Sequence, residues 1–143
     1  MTQLFIGSDH GAFELKQQII QFLKTMDTLK VVDCGVFDTN SVDYPDIAEK
    51  VVKDVLKSKD NLGILCCGTG IGVSIKANRF KGIRAALVYD EFTSKMAKEH
   101  NNANILCLGG RTTSFDSATF YIQSWLKANF NGGRHQRRCD KLD

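Results

Sequence analysis

The sequence lacks the features that assign a chain to a membrane or to a repetitive architecture. No apolar run approaches the length of a membrane-spanning helix, and neither an internal repeat nor a low-complexity segment is present. The first apolar run begins at Leu4, without the charged and apolar regions of a secretory signal before it. We therefore expect a cytoplasmic protein that has no membrane contact.

A strong excess of charge of one sign is also missing. The net charge is +3, and the basic C-terminal tail, residues 131–143, supplies +2 of it through four basic and two acidic side chains. The rest of the chain is nearly neutral, whereas a nucleic-acid-binding face is rich in clustered lysine and arginine. This distribution argues against a broad nucleic-acid interface.

The sequence also lacks cysteines and histidines at the spacing of a metal site. The five cysteines, an odd number, are Cys34, Cys66, Cys67, Cys107 and Cys139. Cys66 and Cys67 are adjacent and the three histidines lie far apart in sequence, so that no zinc motif is formed. These thiols fit a reduced protein in the cytoplasm, while a metal site assembled only by folding stays open.

What the sequence does contain is an alternation of short apolar runs with longer segments of helical periodicity. The predicted strands are 4–6, 31–32, 62–66, 83–89 and 105–108, and the helices that follow them are 12–26, 45–55, 71–79, 91–99 and 115–126. Apolar strands separated by helices indicate a parallel sheet covered on both faces. The prediction is an α/β fold: one domain over residues 1–143, a three-layer α/β/α sandwich with a Rossmann-like five-stranded parallel sheet.

Polar residues follow four of the predicted strands, at the edge where ligands bind to such sheets. Asp9 and His10 follow the first strand, residues 38–44 the second, 67–72 the third and Arg111 the fifth. His100 and Asn101 differ, because they end a helix before the fifth strand and so belong to the opposite edge. If they serve the same site, a second subunit must bring them.

The glycine-rich turn over residues 67–72 is the most informative stretch. Cys67 follows a buried strand, and Gly68, Gly70 and Gly72 alternate through the turn into a helix. Such a turn lets a ligand approach the backbone and points free N–H groups at developing negative charge, while the helix N-terminus favours a thiolate. We infer a base beside an oxyanion cradle, suited to removing a proton from a carbon next to a carbonyl.

Other interpretations of this turn fit less well. A dinucleotide fingerprint needs a third glycine where this chain has Val73, and a cysteine phosphatase loop needs an arginine at that same position. A tight connection with an incidental buried cysteine stays open for Cys67, and it is the preferred interpretation for Cys66, which lies inside the strand.

Short motifs spread in order along nearly the whole chain form a specific set. They are Ser8-Asp9-His10-Gly11, Asp43-Tyr44-Pro45, Cys67-Gly68-Thr69-Gly70-Ile71-Gly72, Ala77-Asn78, Gly82-Ile83-Arg84-Ala85, Glu99-His100-Asn101-Asn102-Ala103-Asn104 and Gly132-Gly133-Arg134-His135. The set resembles the ribose-5-phosphate isomerase B family. The resemblance implies an interconversion of ribose 5-phosphate and ribulose 5-phosphate through an enediolate, without metal or cofactor.

The resemblance also implies roles for particular residues. Cys67 resembles the base that moves the proton, and His100 and Thr69 resemble the groups that open the furanose ring, with His100 as the acid. The expected enediolate cradle consists of Gly68, Thr69, Gly70, Ile71 and Gly72, with Ser74 close by. The residues expected to bind hydroxyl groups are Asp9, Tyr44 and Asn101. The expected phosphate and sugar clamp consists of His10, Arg111, Arg134 and Arg138.

Simpler structural roles stay open for several of these residues. His10 could cap the helix that follows it, His100 could only end a helix, and the arginines after residue 131 could be a solvated basic tail. One branch of the family has a carboxylate base where this chain has Val73, so that Cys67 indicates the branch with a thiol base.

The implied partners are a small phosphosugar and a second copy of the chain. The resemblance indicates a homodimer with shared active sites, and it leaves a tetramer open. The alternative functions are a galactose-6-phosphate or allose-6-phosphate isomerase and a non-catalytic phosphosugar-binding subunit.

Overall fold

A five-stranded parallel sheet forms the centre of the computed structural model, which describes all 143 residues. The strands are β1 (Thr2–Ser8), β2 (Leu29–Asp33), β3 (Leu62–Cys67), β4 (Ala85–Leu87) and β5 (Ile105–Gly109). Their order across the sheet is β2-β1-β3-β5-β4, and every neighbouring pair is parallel. The predicted α/β fold and parallel sheet are confirmed.

Helices cover both faces of this sheet. They are α1 (Phe13–Leu23), α2 (Tyr44–Val55), α3 (Ile71–Ala77), α4 (Glu91–Glu99), α5 (Phe115–Lys127) and α6 (Arg134–Cys139). One buried cluster joins the sheet to α1, α4 and α5, and the other joins it to α2 and α3. The arrangement is therefore the predicted three-layer sandwich. None of its helices is long and apolar enough to cross a bilayer.

Helical periodicity explains which side of each helix faces the sheet. In α2, Ile47, Val51 and Val55 recur at helical spacing and are buried against the sheet, after Pro45 in the first turn. In α5 the largest buried side chain is Trp125, whose indole N–H donates to the carbonyl of Ala103 at 3.2 Å. A buried indole thereby keeps its hydrogen bond.

Two elements differ from the sequence-based expectations. The strand predicted over 83–89 is shortened to β4. The N–H of Ile83 donates to the carbonyl of Phe80 in a turn, and the N–H of Arg84 donates to the side chain of Asn104, so neither forms a strand pair. The helix α6 was not predicted, because its six residues lack an apolar period. Part of the expected C-terminal tail is therefore folded, with His135 and Cys139 buried.

The chain turns to opposite faces of the sheet after β1 and after β3. After β1 the chain leaves to the face covered by α1, and after β3 it enters α3 on the other face. The N–H of Asp9, just beyond β1, donates to the carbonyl of Cys66 in β3 at 3.2 Å. A crevice forms at such a switch point in open α/β sheets, and the glycine-rich turn lies beside it.

Candidate active site

Cys67 ends β3 at this crevice and is the one thiol of the sheet that reaches the surface. Its residue is 5% exposed, whereas Cys66 and Cys107 are completely buried. The N–H of Gly70 donates to its Sγ at 3.2 Å. A backbone donor aimed at the sulfur stabilises negative charge there, so the structure combines a nucleophilic atom with a fixed orientation.

The neighbouring thiols are not suited to act as bases. The pKa of Cys66 is raised to about 12, mainly by burial and then by the nearby Cys67 and Asp9. Burial likewise raises the pKa of the Cys107 thiol well above its usual range. Both groups therefore stay protonated at neutral pH and behave as small core side chains, as predicted for Cys66.

The glycine-rich turn presents a set of backbone N–H groups. Gly70 has φ +79°, a left-handed conformation that favours glycine, and it starts α3. The N–H of Ile71 donates to Oγ1 of Thr69 at 3.2 Å. The turn N–H groups without an acceptor in the protein are those of Gly68, Thr69, Gly72 and Val73. Converging free donors of this kind can bind an oxyanion.

Arg111 lies over the same turn. Its Nη1 is 3.6 Å from where a β-carbon on Gly68 would lie, and its Nη2 is 3.9 Å from the equivalent point on Gly11. The N–H of Arg111 donates to the carbonyl of Gly68 at 2.9 Å, which fixes its backbone. The guanidinium has no ion-pair partner in the chain, so it is free to bind an anion.

His10 and Asp9 are also at this edge of the sheet, and they make different hydrogen bonds. The carboxylate of Asp9 accepts the N–H of Ala12 at 3.2 Å, so Asp9 caps the turn that His10 was considered to cap. Nδ1 of His10 instead accepts the N–H of Val42 at 3.2 Å. Since Nδ1 is the acceptor, a neutral His10 has its proton on Nε2, which leaves that N–H for a ligand.

Tyr44 and Ser74 complete the predicted residues near the turn. The ring of Tyr44, which begins α2, lies against Gly72. The hydroxyl of Ser74 donates to the carbonyl of Ile71 at 2.7 Å, so it closes on its own helix. A cleft of about 460 Å³ lies beside His10 and is also lined by Thr39 and Thr113.

His100 and Asn101 lie at the opposite edge of the sheet, as the topology predicted. His100 ends α4, and the adjoining Asn104 accepts the N–H of Gly63 at the start of β3. Cys67 lies at the other end of that strand, about 13 Å from Gly63 at roughly 3.3 Å per residue. The two groups of predicted site residues are therefore not brought together within one chain.

The C-terminal segment joins this second group. Arg134 and Arg138 belong to α6, both are exposed, and neither has an ion-pair partner. The Sγ–H of Cys139 donates to the carbonyl of His100 at 3.6 Å. A single unit, which we call the C-terminal arm (residues 129–143), therefore presents the two arginines on the same side of the molecule as His100.

Sequence reasoning missed two contributors to this second group. His135 stacks on His100, whereas the motif Gly132-Gly133-Arg134-His135 predicts no role for its histidine. Arg84 donates from Nε to the carbonyls of Asn101 and Asn102, both at 3.0 Å. The sequence signal for the start of α6 is the glycine pair before Arg134. Both glycines have positive φ, a conformation that other residues rarely adopt.

The arrangement contains no cluster of metal-ligating side chains. No three His, Cys, Asp or Glu residues lie together as ligands of one ion. The groups available for chemistry are thus a thiol, imidazoles, guanidinium groups and backbone N–H donors. Guanidinium groups can bind a phosphorylated polyol, and free backbone N–H donors can stabilise an enediolate.

Comparison with known proteins gives one consistent family. Residues 4–142 match the family model described as Ribose/Galactose Isomerase. The chain is 49% identical to the probable ribose-5-phosphate isomerase B of Mycoplasma genitalium, over 97% of this chain and 92% of that protein. It is 36% identical to ribose-5-phosphate isomerase B of Escherichia coli, over 99% and 95%. The crystal structure of the Mycoplasma genitalium enzyme with bound ribulose-5-phosphate superposes with a TM-score of 0.95 at 47% identity, covering 99% of this chain and 93% of that one.

Proposed function

The chain belongs to the ribose/galactose isomerase family, and we propose on that basis that it interconverts D-ribose 5-phosphate and D-ribulose 5-phosphate. The observation that supports this most directly is the Cys67 thiol, oriented by the N–H of Gly70 at 3.2 Å and surrounded by unpaired backbone donors. This is the combination that an aldose–ketose isomerase needs, because it must remove a carbon-bound proton and hold the resulting anion.

The proton transfer follows from these groups. The thiolate of Cys67 takes the proton from C2 of the open-chain aldose, and the C2 electrons form the enediolate double bond as the charge moves to O1. Backbone N–H groups of the glycine-rich turn bind that oxygen; one such donor contributes about 3–4 kcal/mol in comparable sites. A proton then passes from the O2 hydroxyl to O1, and Cys67 returns its proton to C1 while the carbonyl forms at C2, which gives the ketose.

Ring opening comes before this step, since ribose 5-phosphate is mainly a furanose. We assign the acid to His100: it donates a proton to the ring oxygen as the bond from C1 to that oxygen breaks. Thr69 binds the anomeric hydroxyl, whose proton passes to solvent as the aldehyde forms. A positioned general acid contributes about 10²–10⁴-fold to a rate.

The phosphate is bound by arginine and histidine side chains from two copies of the chain. Arg111 and His10 belong to the edge of Cys67, and Arg134 and Arg138 belong to the opposite edge. Guanidinium groups without an internal ion pair bind a phosphate dianion through forked hydrogen bonds. Asp9, Tyr44 and Asn101 bind the sugar hydroxyl groups.

A homodimer with shared sites supplies the missing groups. Exposed apolar side chains flank the edge strand β4: Ile75 on α3 is 53% exposed, and Tyr89 and Phe92 beyond β4 are 68% and 69% exposed. Asn78 occupies the free edge of β4 through two hydrogen bonds to Ala85, so that the sheet is not extended there. A second copy of the chain therefore packs side chains over this surface.

Activity after exhaustive chelation tests the reaction. The purified protein is expected to isomerise ribose 5-phosphate at an undiminished rate, and a strict metal requirement would contradict the proposal.

Six-carbon phosphosugars serve as the comparison substrates, because a phosphate one carbon farther from the reacting carbonyl must fit the same clamp. A higher kcat/KM for a six-carbon substrate would assign the chain to the galactose or allose branch.

Complementation tests the shared site. Cys67→Ala and His100→Asn variants, each inactive alone, are co-expressed with different tags so that mixed dimers form. Half of the dimers are then mixed, and one site in each contains both groups. Recovery of roughly a quarter of the wild-type activity is expected for a two-fold dimer. No recovery in purified mixed dimers would show that both residues act within one chain.

A further inference from the structure

His135 lies in face-to-face contact with His100. The two ring centroids are 4.1 Å apart and the ring planes are inclined by only 11°. His135 is also buried, at 8% exposure, although it belongs to a short helix whose other polar side chains are exposed. Neither imidazole nitrogen of His100 accepts or donates a hydrogen bond within the chain, so the stacked ring is its principal orienting contact.

Two further contacts attach the same arm to the end of α4. The Sγ–H of Cys139 donates to the carbonyl of His100 at 3.6 Å, and the N–H of Asn131 donates to the carbonyl of Glu99 at 2.9 Å. Both of these contacts are made to backbone carbonyls. The ring of His135, by contrast, contacts the imidazole itself.

We propose that His135 is a positioning residue whose stacked ring fixes the imidazole of His100 for ring opening and links it to the arginines of α6. This inference rests on the proposed function. It connects the acid at the end of α4 with the phosphate-binding arginines of the C-terminal arm: a phosphate bound by Arg134 and Arg138 fixes α6, and α6 fixes the ring of His100.

The charge state of His135 suits this role. Burial lowers the pKa of His135, and the adjacent His100, Arg134 and Arg138 lower it further. His135 is therefore uncharged near neutral pH. A neutral ring can stack on His100 without placing a second positive charge beside it.

Three variants separate ring positioning from simple docking of the arm. His135→Ala removes the stacked ring, His135→Phe restores a flat ring of similar size, and Cys139→Ala removes another contact between α6 and His100 while keeping the stack. Two rates are measured in each: kcat for ribose 5-phosphate, and exchange of the C1 proton of ribulose 5-phosphate in D₂O. Only the first includes ring opening, because the ketose has its O5 phosphorylated and stays acyclic.

The expected result is a split between these rates. His135→Ala lowers kcat for ribose 5-phosphate by about 10-fold or more, within the range that a general acid contributes, and leaves C1 exchange within about twofold. His135→Phe recovers most of kcat, and Cys139→Ala keeps it.

Two outcomes would overturn the inference while leaving the proposed function intact: equal loss of both rates in His135→Ala, or equal losses in Cys139→Ala and His135→Ala. If His135→Ala fails to fold, His135→Phe decides by itself, because a low kcat in a folded His135→Phe dimer is incompatible with positioning by a stacked ring. Failure of the wild-type protein to isomerise ribose 5-phosphate would reject the proposed function instead.

Discussion

The ring of Tyr44 fills the space that a side chain on Gly72 would need. The Tyr44 hydroxyl oxygen is 2.9 Å from the point where a β-carbon on Gly72 would lie, and the ring carbons Cε1 and Cζ are closer still. Tyr44 begins α2 and Gly72 lies in the first turn of α3. Because Gly72 has no side chain, the first residue of α2 can contact the first turn of α3.

We expect Gly72→Ala to displace Tyr44 while the protein stays folded. Tyr44 is 40% exposed, so its ring can swing toward solvent. The loss of a hydroxyl-binding group by displacement of 1 Å or more lowers kcat/KM by about 10²-fold. Steady-state kinetics and a crystal structure of the variant check this. Gly11→Ala is the matched control, because a β-carbon there meets Asp9 at an ordinary 3.5 Å. An unchanged kcat/KM in Gly72→Ala would remove Tyr44 from the site.

The two adjacent cysteines are expected to respond differently to substitution. Cys67→Ala lowers kcat by about 10³-fold, the contribution of a positioned base, and keeps binding of ribulose 5-phosphate. Cys66→Ala leaves a small cavity in the completely buried core, lowers the free energy of unfolding by about 1 kcal/mol and stays active. Kinetics, calorimetric binding and urea unfolding measure the three effects. Similar kcat losses in both variants would indicate a packing defect.

The stability of the C-terminal arm is expected to depend on pH through His135. A histidine whose folded pKa is lowered binds fewer protons in the folded chain than in the unfolded chain. Its stabilising effect is therefore complete above the unfolded pKa of about 6.5 and is lost as pH falls below that value. The charges that act on it are those of His100, Arg134 and Arg138. Amide exchange in α6 should accelerate between pH 7 and 5 in the wild type and much less in His135→Phe. Equal acceleration in both would place the titrating group elsewhere.

The buried ion pair between Lys16 and Asp33 is expected to stabilise the segment that leads to Tyr44. Lys16 has a completely buried side chain, and its Nζ lies 2.7 Å from Oδ1 of Asp33, which also accepts the N–H of Gly35 at 2.9 Å. Lys16→Met leaves the carboxylate without its cation and should cost about 3 kcal/mol in urea unfolding. In Lys16→Met/Asp33→Asn the cost should be smaller, since no unpaired charge remains. A double variant less stable than Lys16→Met would contradict this account.

The apolar surface beside β4 is expected to form the dimer interface. Ile75→Lys changes a half-exposed residue, so the fold of one chain should keep its stability within about 0.5 kcal/mol. The dimer should dissociate, and activity should disappear with it. Phe120→Lys, on α5 at 46% exposure, is the matched control and should stay dimeric and active. Sedimentation velocity with parallel assays measures both. A monomeric yet active Ile75→Lys protein would rule out a shared site.

The sequence by itself determined the fold class and the edge of the sheet at which each group of candidate residues lies. Apolar runs mark β1, β3 and β5 because strands covered on both faces have no polar positions, and parallel topology then assigns Asp9, Cys67 and Arg111 to one edge. The same rule predicted that His100 and Asn101 lie at the other edge. These conclusions depend on local periodicity and on chain direction, which the order of residues contains directly.

Tertiary structure alone decided which polar groups meet. The stack of His135 on His100, the bond from Gly70 to the sulfur of Cys67 and the ring of Tyr44 over Gly72 join residues through particular rotamers and loop conformations. The helix α6 has no apolar period that could announce it, and it is stabilised by contacts with the end of α4 that lie more than thirty residues away in sequence. Such contacts depend on packing between distant segments, and no local pattern in the chain specifies them.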